Sequence, residues 1–253
     1  MLNTNIMYKK RQNKSILYLV LSFYIVFLGL QIPAARAQDF NAGADFVNRY
    51  VWRGFDFGNS FSVQPHLEFS VGNFTIGNWA SYAISPVDNN KASAFGASEN
   101  DLYASYNFGP FAVGVTDYYF PTSGPDFFNY DNGGNGAHYI EPNVSITGGK
   151  SFPLTLYAAF NAYNDPDHSV YLAATVPFTV HNTDLSFTIG GVPTSGKNGT
   201  AGYYGNSKAA ITNIKLSASH SIKITDDFSL PLFGSYIINP YIKKSYAVFG
   251  ISL

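Results

Sequence analysis

Leu154-Thr155-Leu156-Tyr157-Ala158-Ala159-Phe160-Asn161-Ala162-Tyr163 sets Leu154, Leu156, Ala158, Phe160 and Ala162 against Thr155, Tyr157, Ala159, Asn161 and Tyr163. A period of two over ten residues is the signature of a strand with unlike faces. The pattern recurs on both sides of this segment. Before it come Ala42–Arg53, Val63–Val71, Phe74–Ser85, Asp101–Phe108, Phe111–Phe120 and Tyr139–Thr147; after it come Ser169–Phe178, Leu185–Val192, Ala209–Ile222, Phe228–Ile238 and Ser245–Leu253. Twelve strands are expected.

The connections alternate in length. Gly72-Asn73, Gly109-Pro110, Gly148 to Pro153 and Thr225 to Asp227 are short, whereas Pro86 to Asn100, Pro121 to His138 and Pro193 to Lys208 are long and polar. Tight turns at one end and free loops at the other describe an up-and-down membrane barrel with an even strand number. Each strand has about the 9 to 11 residues that a tilted spanning strand needs. In the last segment Ala247, Phe249, Ile251 and Leu253 share one face, so the final strand can pair with the first. Such closure spares a lipid-exposed sheet its unsatisfied edge. The aromatics Tyr50, Trp52, Tyr82, Tyr118, Tyr119 and Tyr163 fall near the loop-side strand ends, as in an interfacial girdle. A secreted β-sandwich would share the alternation but not this asymmetry of turns and loops.

Residues 1–37 read as a cleaved signal peptide: Lys9, Lys10, Arg11 and Lys14 precede the apolar Ile16–Leu30, and Ala35-Arg36-Ala37 precedes Gln38. The expected mature domain is 38–253. Five of the 15 bases and none of the 16 acids lie in the leader, which leaves the mature part at net −6. A basic nucleic-acid footprint is therefore missing. No cysteine is present, so neither disulfides nor thiolate metal sites are available. Aromatics make up 17% of the chain and charged residues only 12%, about half the usual charged share of a soluble domain. The expected class is all-β: a single transmembrane antiparallel barrel, monomeric, in the outer membrane of a Gram-negative bacterium with its lipids as partner.

The opening Phe46-Val47-Asn48-Arg49-Tyr50-Val51-Trp52-Arg53-Gly54, followed by Gln64-Pro65, resembles the start of the TorF family of bacterial outer-membrane porins. Asn100-Asp101-Leu102-Tyr103, Asp117-Tyr118-Tyr119, His138-Tyr139-Ile140-Glu141 and Ser169-Val170-Tyr171-Leu172 extend the resemblance over most of the mature chain. It implies a barrel and, through the family name, a pore for small solutes or ions.

With the apolar faces outward, Asp45, Arg49, Arg53, His66, Glu68, Asp101, Glu141 and Lys215 are expected to line the lumen. Such charges either form an interior ion-pair network that fixes register and fills the barrel, or a constriction whose acidic excess favours cations. Two rival classes differ in their residues. A lipid-modifying enzyme needs Ser, His and an acid brought together, for which Asp165, Asp167, His168 and Ser169 are the one local cluster; neighbouring strand residues point oppositely, so no catalytic role is expected. An inert barrel with binding loops would use Asp126–Tyr130 and Tyr203–Asn206. No short-spaced metal-ligand motif occurs, and the Gly-rich Asp131–Gly136 lacks a phosphate-loop ending, so no cofactor is expected and that stretch reads as a flexible loop tip.

Overall fold

The computed structural model describes residues 38–57, 59–84, 98–121, 126–194, 196 and 202–253. The expected signal peptide, and parts of the long loops expected at Pro86–Asn100, Pro121–His138 and Pro193–Lys208, lie outside these residues. The strands are β1 (Gln38–Val47), β2 (Val51–Trp52), β3 (Phe55–Asp56), β4 (Ser62–Val71), β5 (Phe74–Ala83), β6 (Ser98–Phe108) and β7 (Phe111–Tyr119). They continue with β8 (His138–Thr147), β9 (Thr155–Phe160), β10 (Val170–Val180), β11 (Thr183–Val192), β12 (Ala210–Lys223), β13 (Ser229–Asn239) and β14 (Lys244–Ser252).

Twelve of these form a closed antiparallel barrel in the order β1-β14-β13-β12-β11-β10-β9-β8-β7-β6-β5-β4, and β2 with β3 makes a separate two-stranded hairpin. Each of the twelve expected strands has a counterpart in the barrel, with the first ending at Val47 and the expected Leu154–Tyr163 shortened to Thr155–Phe160. β1 pairs with β4 along its whole length, Gln38 opposite Val71 and Val47 opposite Ser62. The seam with β14 is shorter, with Asp45, Phe46 and Val47 opposite Ser252, Ile251 and Gly250. Ala44 and Leu253 extend it by exchanging backbone hydrogen bonds of 2.9 and 3.0 Å.

Side-chain alternation turns the apolar rows outward. Leu102, Leu156, Leu172, Leu216, Ile76 and Phe249 are all exposed, from 45% to 63%. The interior is polar and changes along the axis. At the loop end the inward Ser62, Gln64, Ser81, Glu99, Asp101, Glu141, Thr188 and Asn213 are buried. Toward the short turns the inward Ser70, Thr75, Ser105, Ser145, Thr175 and Ser217 keep partial exposure, and Asn107, Asp184 and Ser221 are open. The barrel is thus filled in its loop-side half and accessible to water from the turn side.

One irregularity prepares the site. Gly190 faces Asn213 but Gly191 faces Ile211, leaving Thr212 as the extra residue of a β-bulge in β12. A bulge bends its strand and re-aims local groups, and here Thr212 is fully buried.

Candidate functional site

The first expected strand, Ala42–Arg53, is corrected by the structure: β1 ends at Val47 and the chain turns inward. Val51 faces Asp56 and Trp52 faces Phe55, so Arg53-Gly54 forms a two-residue hairpin turn. Both have positive φ, 51° and 88°, the combination of a type I′ turn. Glycine accepts this conformation freely, whereas arginine there needs compensation from its surroundings. The stem is tied by Arg49, which donates to Asp56 at 3.0 Å and to Asn59 at 2.8 Å, and by Phe57 N–H to the Tyr50 carbonyl at 2.8 Å. The tip rests on the opposite wall. A Cβ at Gly54 would lie 1.8 Å from the Thr212 carbonyl oxygen, so the bulge and the glycine fit each other, and Asn239 Nδ2 donates to the Gly54 carbonyl at 3.0 Å.

Arg53 carries the hairpin across the lumen. β8 lies almost diametrically opposite β1 in the strand order. There Glu141 accepts two charge-assisted bonds from the guanidinium, at 2.6 Å to Oε2 and 2.7 Å to Oε1. The Arg53 side chain is 7% exposed and that of Glu141 is 0%. Tyr118 donates to Glu141 Oε1 at 2.9 Å, and Arg53 also donates to Tyr204 and, at 3.3 Å, to Tyr157. Aromatic faces complete the enclosure: the guanidinium carbon stands 4.2 Å from the Trp52 ring centre and 4.4 Å from that of Tyr171. Trp52 in turn stacks on Tyr204 at 5.8 Å. Such an arrangement offsets the desolvation of both charges through bidentate geometry and ring contacts. Beside the stem, Glu99 and Asp101 lie on the same inward face of β6, buried to 4% and 6%, and Asp101 Oδ1 has no hydrogen-bond partner among the described residues. Burial first, then these two carboxylates, push the Tyr50 phenol well above its ordinary value.

A family model described as a bacterial protein of unknown function, Gcw_chp, matches residues 32–226. The chain belongs to the Gcw_chp family. The match takes in Arg53, Glu141, Tyr204 and Thr212, and stops before β13 and β14, which close the barrel. No curated protein matches the chain. The Gcw_chp description names no activity.

The other residues expected along the lumen of this Gcw_chp barrel fall in different places. Asp45 accepts from Ser252 at 2.5 Å at the seam. Glu68 accepts from Tyr103 at 2.9 Å in the more open half. His66 stands opposite Gly43, where an added Cβ would come within 2.8 Å of the ring. Lys215 lies opposite Thr188 and Ile237. Arg49 is in the hairpin stem, not in a barrel strand. Three aromatics expected in an outer girdle are inside instead: Tyr50 and Tyr118 are buried, and Trp52 packs on Tyr118 and Tyr204. Tyr204, expected on a free loop, is 4% exposed and closes over the hairpin. Tyr157, Tyr171, Thr212 and Asn239 join the site without a local signal in the sequence, since each acts through a partner remote in the chain.

Around the mouth, the Asp165–Ser169 cluster is a turn organised by one carboxylate: Asp165 accepts from the N–H groups of Asp167 and Ser169 and from Asn161 Nδ2, at 3.0, 2.9 and 3.1 Å. His168 Nδ1 lies 3.1 Å from the Asn161 carbonyl. The Gly-rich tip is also anchored, because Asn164 accepts from Gly134 N–H at 2.7 Å and donates to the Gly136 carbonyl at 2.8 Å. Above the hairpin lies a depression of about 710 Å³ bordered by Trp52, Phe55, Phe120, Tyr139, Tyr203 and Tyr204. A groove of about 750 Å³ on the outward face of β8–β12 is lined by Val144, Leu156, Leu172, Ile189 and Ile211 and belongs to the apolar exterior.

Proposed function

We propose that the chain is an exported outer-membrane barrel that acts as a narrow, cation-favouring channel for small solutes or ions, with the β2–β3 hairpin as its constriction. The apolar exterior supports the membrane reading: ten-residue strands tilted by about 40° rise about 25 Å, the height of the apolar band of outer-membrane barrels. One observation carries the channel reading. Polar side chains accessible from the turn side lead up to a hairpin that blocks the lumen through side-chain and tip contacts, without pairing as a strand with the wall. A blocking element held this way can move while the barrel stays closed. Four acids at the block, Asp56, Glu99, Asp101 and Glu141, stand against two arginines, Arg49 and Arg53, and this excess supports a preference for cations.

The test is the reversal potential of the refolded barrel in a planar bilayer under a salt gradient. Cation preference that weakens when Glu68 and Asp101 become Gln and Asn supports the reading. Folded barrels that pass no ions at any voltage refute it. A second reading, a barrel whose loops hold a partner, draws on the exposed Phe127, Phe128 and Tyr130, of which Phe128 is 82% exposed. Removing that loop would abolish surface adhesion and spare conductance.

A further inference from the structure

We propose that the wall pocket of Glu141, Tyr118, Tyr157 and Tyr171 is a binding site for solutes bearing a guanidinium group, and that Arg53 fills it as a built-in competitor. The inference takes its physiological meaning from the channel reading above, but the site can be tested without conduction.

The holding groups sit on four adjacent strands, β7 to β10, not on the hairpin. Glu141 presents two oxygens to the paired N–H donors of a planar fork, which is the geometry a guanidinium matches and an ammonium does not. Tyr171 offers its ring face at 4.4 Å and Tyr157 at 5.8 Å. The Tyr171 ring is itself held, because Asn213 Nδ2 donates to its hydroxyl at 3.1 Å. With Arg53 withdrawn, the fully buried carboxylate would keep, among the described residues, only the hydroxyls of Tyr118 and Tyr157 as donors. A neutral or anionic solute cannot replace the lost charge; a guanidinium can.

Two features favour exchange of the occupant. Arg53 reaches the pocket from a turn with φ 51°, a conformation that costs a non-glycine residue and is kept only by its contacts. The aromatic depression of about 710 Å³ borders Trp52 and Tyr204, the two rings that close over Arg53 from outside. A solute with a flat cationic group can stack there before reaching Glu141.

The experiment titrates the refolded full chain with methylguanidinium, methylammonium and potassium by calorimetry. Arg53→Ala is expected to bind methylguanidinium saturably, methylammonium more weakly and potassium not at all, and Arg53→Ala with Glu141→Gln to lose roughly a hundredfold in affinity. Arg53→Ala leaves a buried charge and can fail to fold. The chain has two tryptophans, so a Trp79→Phe background with Arg53 intact leaves Trp52 as the reporter. Methylguanidinium is expected to shift its emission where potassium at equal ionic strength does not. The proposal is overturned if folded Arg53→Ala binds methylguanidinium no better than the parent, or if the binding survives Glu141→Gln. It is equally overturned if Arg53→Ala does not fold and Trp52 emission stays fixed. Binding in a barrel that never conducts would remove the channel reading and leave the site standing.

Discussion

Arg53 and Glu141, 88 residues apart, meet across the width of the barrel through two bonds of 2.6 and 2.7 Å, with the carboxylate fully buried. Breaking one side of such a pair leaves an uncompensated charge in a dry site, at a cost of about 3–5 kcal/mol. Glu141→Gln and Arg53→Gln are each expected to destabilise the barrel by that order. The double variant should cost much less than their sum. A double-mutant cycle by urea unfolding of the refolded barrel measures the coupling, and additive effects would contradict the contact.

Gly54 is the residue that lets the hairpin tip touch the wall. Gly54→Ala combines a positive-φ penalty of about 1–3 kcal/mol with overlap on the Thr212 carbonyl, so the tip should lift while the barrel remains closed. Arg49 and Arg53 then become open to trypsin. Cleavage at these sites is expected to be roughly tenfold faster or more than in the parent, since the open population grows by about tenfold per 1.4 kcal/mol.

The strands were legible in the sequence because each needs only a local period of two, and closure followed from their number and the alternation of turns and loops. The hairpin was not, because Arg49, Tyr50, Trp52 and Arg53 continue the alternation of β1 without a break. Its one local sign is Gly54 between Trp52 and Phe55, a weaker turn signal than Asn-Gly or Asp-Gly. The bulge also left a trace, since outward apolar residues shift from the odd Ile211 to the even Ile214 and Leu216. No sequence pattern ties Arg53 to Glu141, or Gly54 to Thr212. Those pairs exist only because the barrel brings opposite walls within reach of a short hairpin.

Leu216 and Ser217 separate outside from inside within one step of β12. Leu216 is 48% exposed on the outer row, and Ser217 faces the lumen between Ser186 and Ser235. Leu216→Arg is expected to cost about 2–4 kcal/mol in a bilayer, and Ser217→Arg far less. Folding into lipid vesicles, followed by heat-modifiable gel migration, reports the difference. Equal tolerance at the two positions would contradict a lipid-facing exterior.

Burial pushes the phenols of Tyr203 and Tyr204 above their ordinary value of 10.0. In the unfolded chain these groups release their protons first, so their contribution to stability is full below that pH and is lost as pH rises toward the folded values. Urea midpoints should therefore fall with this contribution as pH rises above about 10. The fall should be shallower in the chain carrying Tyr203→Phe and Tyr204→Phe.

Single-channel current shows whether the Arg53–Glu141 contact holds a movable block in a conducting lumen. The comparison is between the parent and a charge-balanced Arg53→Gln, Glu141→Gln double variant, each shown to be folded, in the same planar bilayer. Rare, brief openings are expected in the parent and a several-fold higher open fraction, still cation-favouring, in the variant. Equal silence from both folded proteins would contradict it.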